Sequence, residues 1–172
     1  MNNENIMRGL FLEKITLNVN VGNDKQGMER AKKLLEKLTN RKPAYNIAKK
    51  RIATWSIRPG LPIGYKVTLR GKEAEDFLKW ILKSKKNVMK KSSVDSFGNF
   101  SIGVSEYLDL IGIKYDSEIG VMGFELSGNI VRKGNRIKSR KLRKGKIPLR
   151  HRVSKEEAVS FLEKNYEVKF EK

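Results

Sequence analysis

The chain has 172 residues, of which 38% are hydrophobic, and its 38 lysines and arginines against 19 acids give a formal charge of +19. That length suits one domain, or a domain with an appendage, and the apolar share is enough for one core. Such a charge excludes indifference to polyanions and leaves nucleic acid, an anionic membrane or an acidic protein as partners.

The apolar runs fall far short of the ~20 residues that span a bilayer, so a membrane is not expected. The start, Met1-Asn-Asn-Glu-Asn-Ile6, has neither the basic opening nor the apolar stretch of a signal peptide. There is no cysteine, hence no disulfide and no thiolate metal site. A cytoplasmic protein is expected.

In chain order, residues 12–21 alternate, with Ile15, Leu17, Val19 and Val21 on one side and Thr16, Asn18 and Asn20 on the other. That period of two predicts a half-buried strand. Asn23-Asp24 offers a helix N-cap, and Met28, Ala31, Leu34, Leu35 and Leu38 follow at helical spacing. Residues 52–58 also alternate, but less cleanly, and read as either a strand or a loop. Two prolines and two glycines make 58–64 a turn or loop. Tyr65, Val67 and Leu69 alternate with Lys66, Thr68 and Arg70, which predicts a second clear strand. After Gly71, Glu73, Glu75 and Asp76 suit a helix N-terminus through the dipole, and Phe77, Leu78, Ile81 and Leu82 give that helix its apolar face. Residues 83–93 read as a basic loop. Phe100, Ile102 and Val104 predict a strand, and 121–131 predict another. Residues 132–152 have little apolar content and no period, so they predict an extended arm. Ser154-Lys-Glu-Glu157 is a capping box that opens a short C-terminal helix with Ala158, Phe161 and Leu162 inward.

This order predicts a single α+β domain over 1–172. A mostly antiparallel sheet with helices packed on one face forms a core at 1–131, followed by a basic arm at 132–153 and a C-terminal helix and tail at 154–172. Such a sheet leaves its other face for solvent or a partner.

The charge is segregated. Residues 41–91 hold fifteen basic and three acidic side chains, and residues 126–155 hold twelve and none. The segment 92–125 between them holds one basic and six acidic side chains. A merely solvated surface predicts interleaved signs, so nucleic acid is the favoured partner.

Chemistry is harder to find. The one histidine, His151, lies in Leu149-Arg-His-Arg152 with no carboxylate nearby in sequence, which suits a phosphate or stacking contact better than catalysis. Acidic pairs at Glu75/Asp76 and Asp116/Glu118 sit where acids are usually structural. No phosphate-cradling glycine loop is present, and a zinc site lacks ligands. No enzyme, cofactor or metal is expected. The outward strand positions Thr16, Asn18, Lys66, Thr68, Arg70, Ser101 and Ser105 are hydrogen-bonding or cationic, not aromatic. Solvent-facing strands favour the same residue types. Beside the two basic blocks, they point to backbone and 2′-OH contacts on structured RNA rather than to base stacking.

Several segments together resemble the L five family of large-subunit ribosomal proteins. They are Ile15-Thr-Leu-Asn18, Lys42-Pro43 with Ala48-Lys-Lys50, Ile57-Arg-Pro-Gly-Leu-Pro-Ile-Gly64 running into Lys66-Val-Thr-Leu-Arg-Gly71, and Phe97-Gly-Asn-Phe-Ser-Ile-Gly-Val104. The segment Arg150-His-Arg-Val-Ser-Lys-Glu-Glu-Ala158 and the basic arm look like the archaeal and eukaryotic branch. The resemblance implies a structural constituent of the large subunit that binds 5S rRNA in the central protuberance. By that resemblance Asn18, Arg41 and Thr68 contact 5S rRNA, and Lys49, Lys50, Lys66, Arg70 and Ser101 join them as candidates. Bacterial members often carry glutamine at the position of Arg41. The loop of Arg51, Thr54, Trp55, Ser56, Arg58, Pro59 and Gly60 matches the one that reaches the elbow of P-site tRNA. Arg132, Lys133, Arg136, Arg140, Lys141, Arg143, Arg150, His151 and Arg152 on the arm are candidates for 23S-type rRNA. The family also implies the small-subunit head protein S thirteen and the L eighteen family of the 5S particle as partners. Set beside bacterial members, the resemblance implies a shorter N-terminus, and no role of their longer leading helix is expected. A free RNA chaperone or assembly factor of the same fold is the alternative.

Overall fold

Alternating apolar residues dictate the longer strands. In the computed structural model, which describes residues 5–171, β1 (Leu10–Asn20) buries Leu12, Ile15, Leu17 and Val19. The chain continues through α1 (Lys25–Thr39), β2 (Ala44–Ile47), β3 (Pro62–Leu69), α2 (Lys72–Ser84), β4 (Val88–Lys90) and β5 (Asn99–Val104). It ends with β6 (Phe124–Arg132), α3 (Arg136–Ser139), α4 (Lys155–Tyr166) and β7 (Lys169–Glu171). Five strands form a mostly antiparallel sheet in the order β2-β3-β1-β6-β5, and β4 pairs with β7 in parallel. The α+β class is as the periodicity predicts. Among the described residues no helix is long and apolar enough to cross a membrane. The reading of the extreme N-terminus falls largely on residues 1–4, which lie outside the described residues, as does Lys172 of the tail.

The chain clusters into two compact units. The α1 unit takes 16–69 and 102–127, and the α4 unit takes the residues up to Ile15, 70–101 and those from Gly128 on. β1, β5 and β6 contribute residues to both.

In the α1 unit, the Asp24 carboxylate caps α1 by accepting from the Gln26 N–H at 3.0 Å. Capping satisfies a backbone donor that has no partner inside the helix. Asn40 ends the helix in the left-handed region at φ 50°. Ala31, Leu34 and Leu35 are wholly buried, and α1 packs against β3. In the α4 unit, α2 buries Ala74, Phe77, Leu78, Ile81 and Leu82. There α4 opens on the predicted capping box: Ser154 Oγ accepts from the Glu157 N–H, and the Glu157 carboxylate accepts from the Ser154 N–H.

Several stretches depart from the sequence reading, and 52–58, left open between strand and loop, is decided. β2 was not foreseen; it lies at the sheet edge and pairs antiparallel with β3. Residues 52–58 do not form a strand. Their only ladder contact is the bridge of Ile52 with Ile57, closed around a 3-10 turn at Ala53–Trp55, with Ser56 in the left-handed region at φ 53°. Residues 62–64, read as turn, begin β3; Pro62 is tolerated because it opens the strand. Within 83–93, read as a loop, β4 forms by pairing with the equally unforeseen β7. The basic stretch adds two short elements, α3 and a 3-10 turn at Leu149–His151, to otherwise irregular chain.

One glycine sets the geometry of the sheet in the α1 unit. Gly64 lies opposite Asn46 in the β2–β3 register. A Cβ there would stand 2.3 Å from the Val19 carbonyl oxygen and 2.4 Å from Asn20 Oδ1. With no side chain on β3 at that point, Asn46 reaches across the whole strand. Its Nδ2 donates to Asn18 Oδ1 and, at 3.1 Å, to Asn20 Oδ1 on β1. Gly64→Ala should therefore push β1 and β3 apart and cost about 1–3 kcal/mol, read as a lower urea midpoint with unchanged m-value.

Candidate nucleic-acid interface

In the α1 unit, period two divides each strand between core and surface. β3 buries Tyr65, Val67 and Leu69 and exposes Lys66 and Thr68. β1 buries Leu17 and Val19 and leaves Thr16 and Asn18 half-buried on the other face. Ala44 lies opposite Lys66, and its short side chain opens a shallow depression lined by Arg41, Lys42, Ala44, Lys66 and Thr68. Three of the predicted 5S contacts, Arg41, Lys66 and Thr68, thus share one hollow. A second hollow is walled by Asn18, Asn20, Gly103, Ser105, Gly123 and Glu125. The hydrogen bond from Asn46 fixes the Asn18 amide, Oδ1 toward β2 and Nδ2 away from it. Lys49 and Lys50 are exposed on the loop that follows β2. Arg70 and Ser101 belong to the α4 unit, where both are exposed.

The loop of residues 48–61 is pinned at its base. Ala48 is buried; its N–H donates to the Leu61 carbonyl at 2.9 Å, and its carbonyl accepts from the Gly60 N–H at 2.9 Å. Ile57, also buried, exchanges two backbone hydrogen bonds with Ile52 at 3.0 and 3.1 Å. Beyond these anchors Arg51, Thr54, Trp55, Ser56, Arg58, Pro59 and Gly60 are all exposed, with Trp55 at 66%. A large indole left exposed on a loop tied at its base is amphipathic surface of the kind enriched where proteins meet partners.

On the back of the same unit, α1 lysines meet the acidic segment. Lys33 Nζ lies 2.6 Å from Glu118 and Lys37 Nζ lies 3.0 Å from Asp116. Hydrogen bonding to Glu118 raises the Lys33 ammonium, and hydrogen bonding to Lys37 lowers the Asp116 carboxyl, each from its ordinary value. The Tyr107 hydroxyl accepts from the Asp116 N–H at 3.0 Å and holds that carboxylate in position.

In the α4 unit, the predicted arm residues divide. Lys133, Arg136, Arg140, Lys141, Arg143, Arg150 and Arg152 are exposed. Arg132 is not. It is the last residue of β6, its side chain is only 12% exposed, and its guanidinium pairs with the Glu157 carboxylate. Arg132, placed by the sequence among the cations of the arm, thus has its guanidinium engaged by the capping box of α4. His151 is half-buried, and its Nε2 lies 3.1 Å from the Lys133 carbonyl, a contact in which the ring N–H donates. The ring thus ties the two ends of the arm together.

Residues 5–58 match the family described as ribosomal protein L5, and residues 62–161 match the C-terminal part of the same ribosomal family. The chain belongs to the ribosomal protein L5 family. A large ribosomal subunit protein uL5 of Sulfurisphaera tokodaii is 47% identical over 165 residues, covering 95% of this chain and 93% of the relative. The protein of the same name from Sulfolobus acidocaldarius is 42% identical, covering 96% and 93%. That of Methanosphaera stadtmanae is 38% identical, covering 97% and 99%. L5 proteins are structural parts of the ribosome and not enzymes, in agreement with a sequence that offers no convincing catalytic group.

Asn46, bonded to the candidate residue Asn18, was not singled out by sequence reasoning. Its partner set follows from Gly64 on the neighbouring strand, and the one available cue was an asparagine between Tyr45 and Ile47 in a basic stretch.

The Arg132–Glu157 pair gives a pH test. Burial pushes the Glu157 carboxyl up, but the Arg132 guanidinium and the Ser154 N–H together hold it below its ordinary 4.5. A depressed carboxyl contributes stability that is present above pH 4.5 and lost as pH falls through the folded value. Glu157→Gln should cost about 1 kcal/mol at pH 7, the screened worth of a side chain 41% exposed. The gap to the parent protein should close in urea unfolding series carried below pH 4.5.

Proposed function

We propose that the protein, a structural constituent of the large ribosomal subunit and so resident with the cytoplasmic ribosome, holds 5S rRNA in the central protuberance on the polar sheet face of its α1 unit. The observation that carries this reading is the hollow in which Arg41, Lys66 and Thr68 meet beside Ala44. Cations there would neutralise phosphates, and the hydroxyl and amide groups would reach 2′-OH and backbone oxygens of a folded RNA. Among the described residues that face carries no aromatic stacking platform, which favours structured RNA over a splayed single strand.

Three further contacts belong to the same reading. The anchored loop with Trp55 at its tip would touch the elbow of P-site tRNA. The exposed cations of 133–152 would lie on 23S-type rRNA. Protein S thirteen of the small-subunit head and an L eighteen family protein would be its protein neighbours. Family membership supports all of these at the level of the ribosome, and the exposed loop and arm supply chemistry that suits the two RNA contacts.

Filter binding to purified 5S rRNA tests the sheet. Lys66→Ala should weaken binding and reduce the slope of log affinity against log salt by about one phosphate's worth. Thr68→Ala should cost about 1 kcal/mol, the worth of one hydrogen bond. Full affinity in both folded variants would move 5S rRNA off this face. Trp55→Ala should leave 5S retention intact while lowering P-site tRNA occupancy of reconstituted ribosomes; equal occupancy would remove the loop from the tRNA contact.

A further inference from the structure

The α4 unit contains a cavity of about 410 Å³ beneath the basic arm. That is the size range of sites that enclose a small organic group. Its apolar wall is Phe97, Ile130, Val131, Ile147 and Val153, and its cationic rim is Lys138, Lys144, Lys146 and Arg152. No acid occurs anywhere in residues 126–155.

We infer that this cavity takes a single unstacked nucleotide of ribosomal RNA, with the base against the Phe97 wall and its phosphate at the lysine rim. The inference rests on the RNA-binding reading above and concerns a different surface of the chain.

The aromatic wall is built in advance. Phe97 is 55% exposed, yet its backbone is fixed on both sides: the N–H groups of Phe97 and Asn99 both donate to Asp95 Oδ1 at 2.8 Å. Gly98, at φ 78°, brings this turn against β6, where a Cβ would stand 2.8 Å from the Ile130 carbonyl oxygen. The Arg152 guanidinium lies 5.7 Å from the Phe97 ring centre. The guanidinium lies over one face of the ring, and a planar cation paired with an exposed ring makes a platform on which a base stacks in a sequence-tolerant way.

Hydrogen-bonding groups complete the site. Asn129 and Asn135 both donate their Nδ2 to Glu13 Oε2, at 3.1 and 3.0 Å, and Asn99 donates its Nδ2 to Asp95. Each amide is thereby oriented with its carbonyl turned away from the carboxylate, as an acceptor for a base N–H. Arg132 also lines the cavity, and its Nε–H is buried with no hydrogen-bond partner. Buried donors are rarely left unpaired, so this one points to an acceptor that arrives with a ligand.

The test is a chemical-shift titration of the full chain with the ribotrinucleotide ApApA, alongside AMP and inorganic pyrophosphate. The expected result is that ApApA shifts the backbone amides of Val131 and Val153 at lower concentration than AMP. Phe97→Ala, at an exposed position that does not threaten folding, should weaken ApApA at least about fivefold, the low end of base–aromatic stacking. Ile147→Trp should fill the cavity and abolish the shifts, while Lys66→Ala should leave them unchanged. Overturning results are no shift with ApApA, shifts with pyrophosphate alone, tighter binding of AMP than of ApApA, or full affinity in Phe97→Ala. If the sheet variants kept full 5S affinity while ApApA still entered the cavity, the sheet reading would fall and this one would stand.

Discussion

A β-strand can give the core only every second residue. In the α1 unit that constraint shapes the whole surface. Once Leu17, Val19, Tyr65, Val67 and Leu69 are committed to α1 and the interior, the alternate positions are fixed in direction and spacing. Those positions hold Thr16, Asn18, Lys66 and Thr68. Neighbouring strands lie about 4.8 Å apart, so short polar groups form a near-flat array with no side chain tall enough to wedge between bases. The array suits the outside of a folded RNA better than the faces of its bases.

The same constraint explains which parts of the fold were legible. β1, β3, β5 and β6 each bury three or more alternating apolar side chains; the period was read in the first three, and β6 was expected as a strand without it. β2 and β7 have four and three residues, too few to express a period against background. Their existence depends on partners: β2 on the free edge of β3, and β7 on β4. Residues 52–58, left open between strand and loop, are the opposite case. They alternate, but Ser56 adopts a left-handed conformation and folds the stretch back on itself after one bridge. Helix boundaries fared better because Asp24, Gly71 and Ser154 act locally, through bonds or backbone angles that neighbours in sequence determine.

The candidate site divides along similar lines. Lys66 and Thr68 were legible because their direction follows from the strand pattern alone. Asn46 was not, because its reach requires an absent side chain at Gly64 on another strand. The partner of Arg132 was hidden for a related reason. Composition placed it with the cations of the arm, whereas the α4 capping box, twenty-five positions further on, claims its guanidinium. Charge counts identify the partner class well and individual contacts poorly, since a cation can be consumed by a carboxylate that only folding brings near.

The lysine–carboxylate pairs behind the α1 unit have a consequence for how a polyanion would meet it. Lys33 and Lys37 sit on an exposed helix face that would otherwise compete for phosphates. Glu118 and Asp116 act as tethered counterions and quiet that side. An RNA approaching this unit would therefore meet exposed cations on the sheet face and carboxylate-paired ones at Lys33 and Lys37, and a first encounter at those pairs would have less to hold it. The acidic segment, which by composition looked like an interruption between two basic blocks, would then act as a rotational filter on docking.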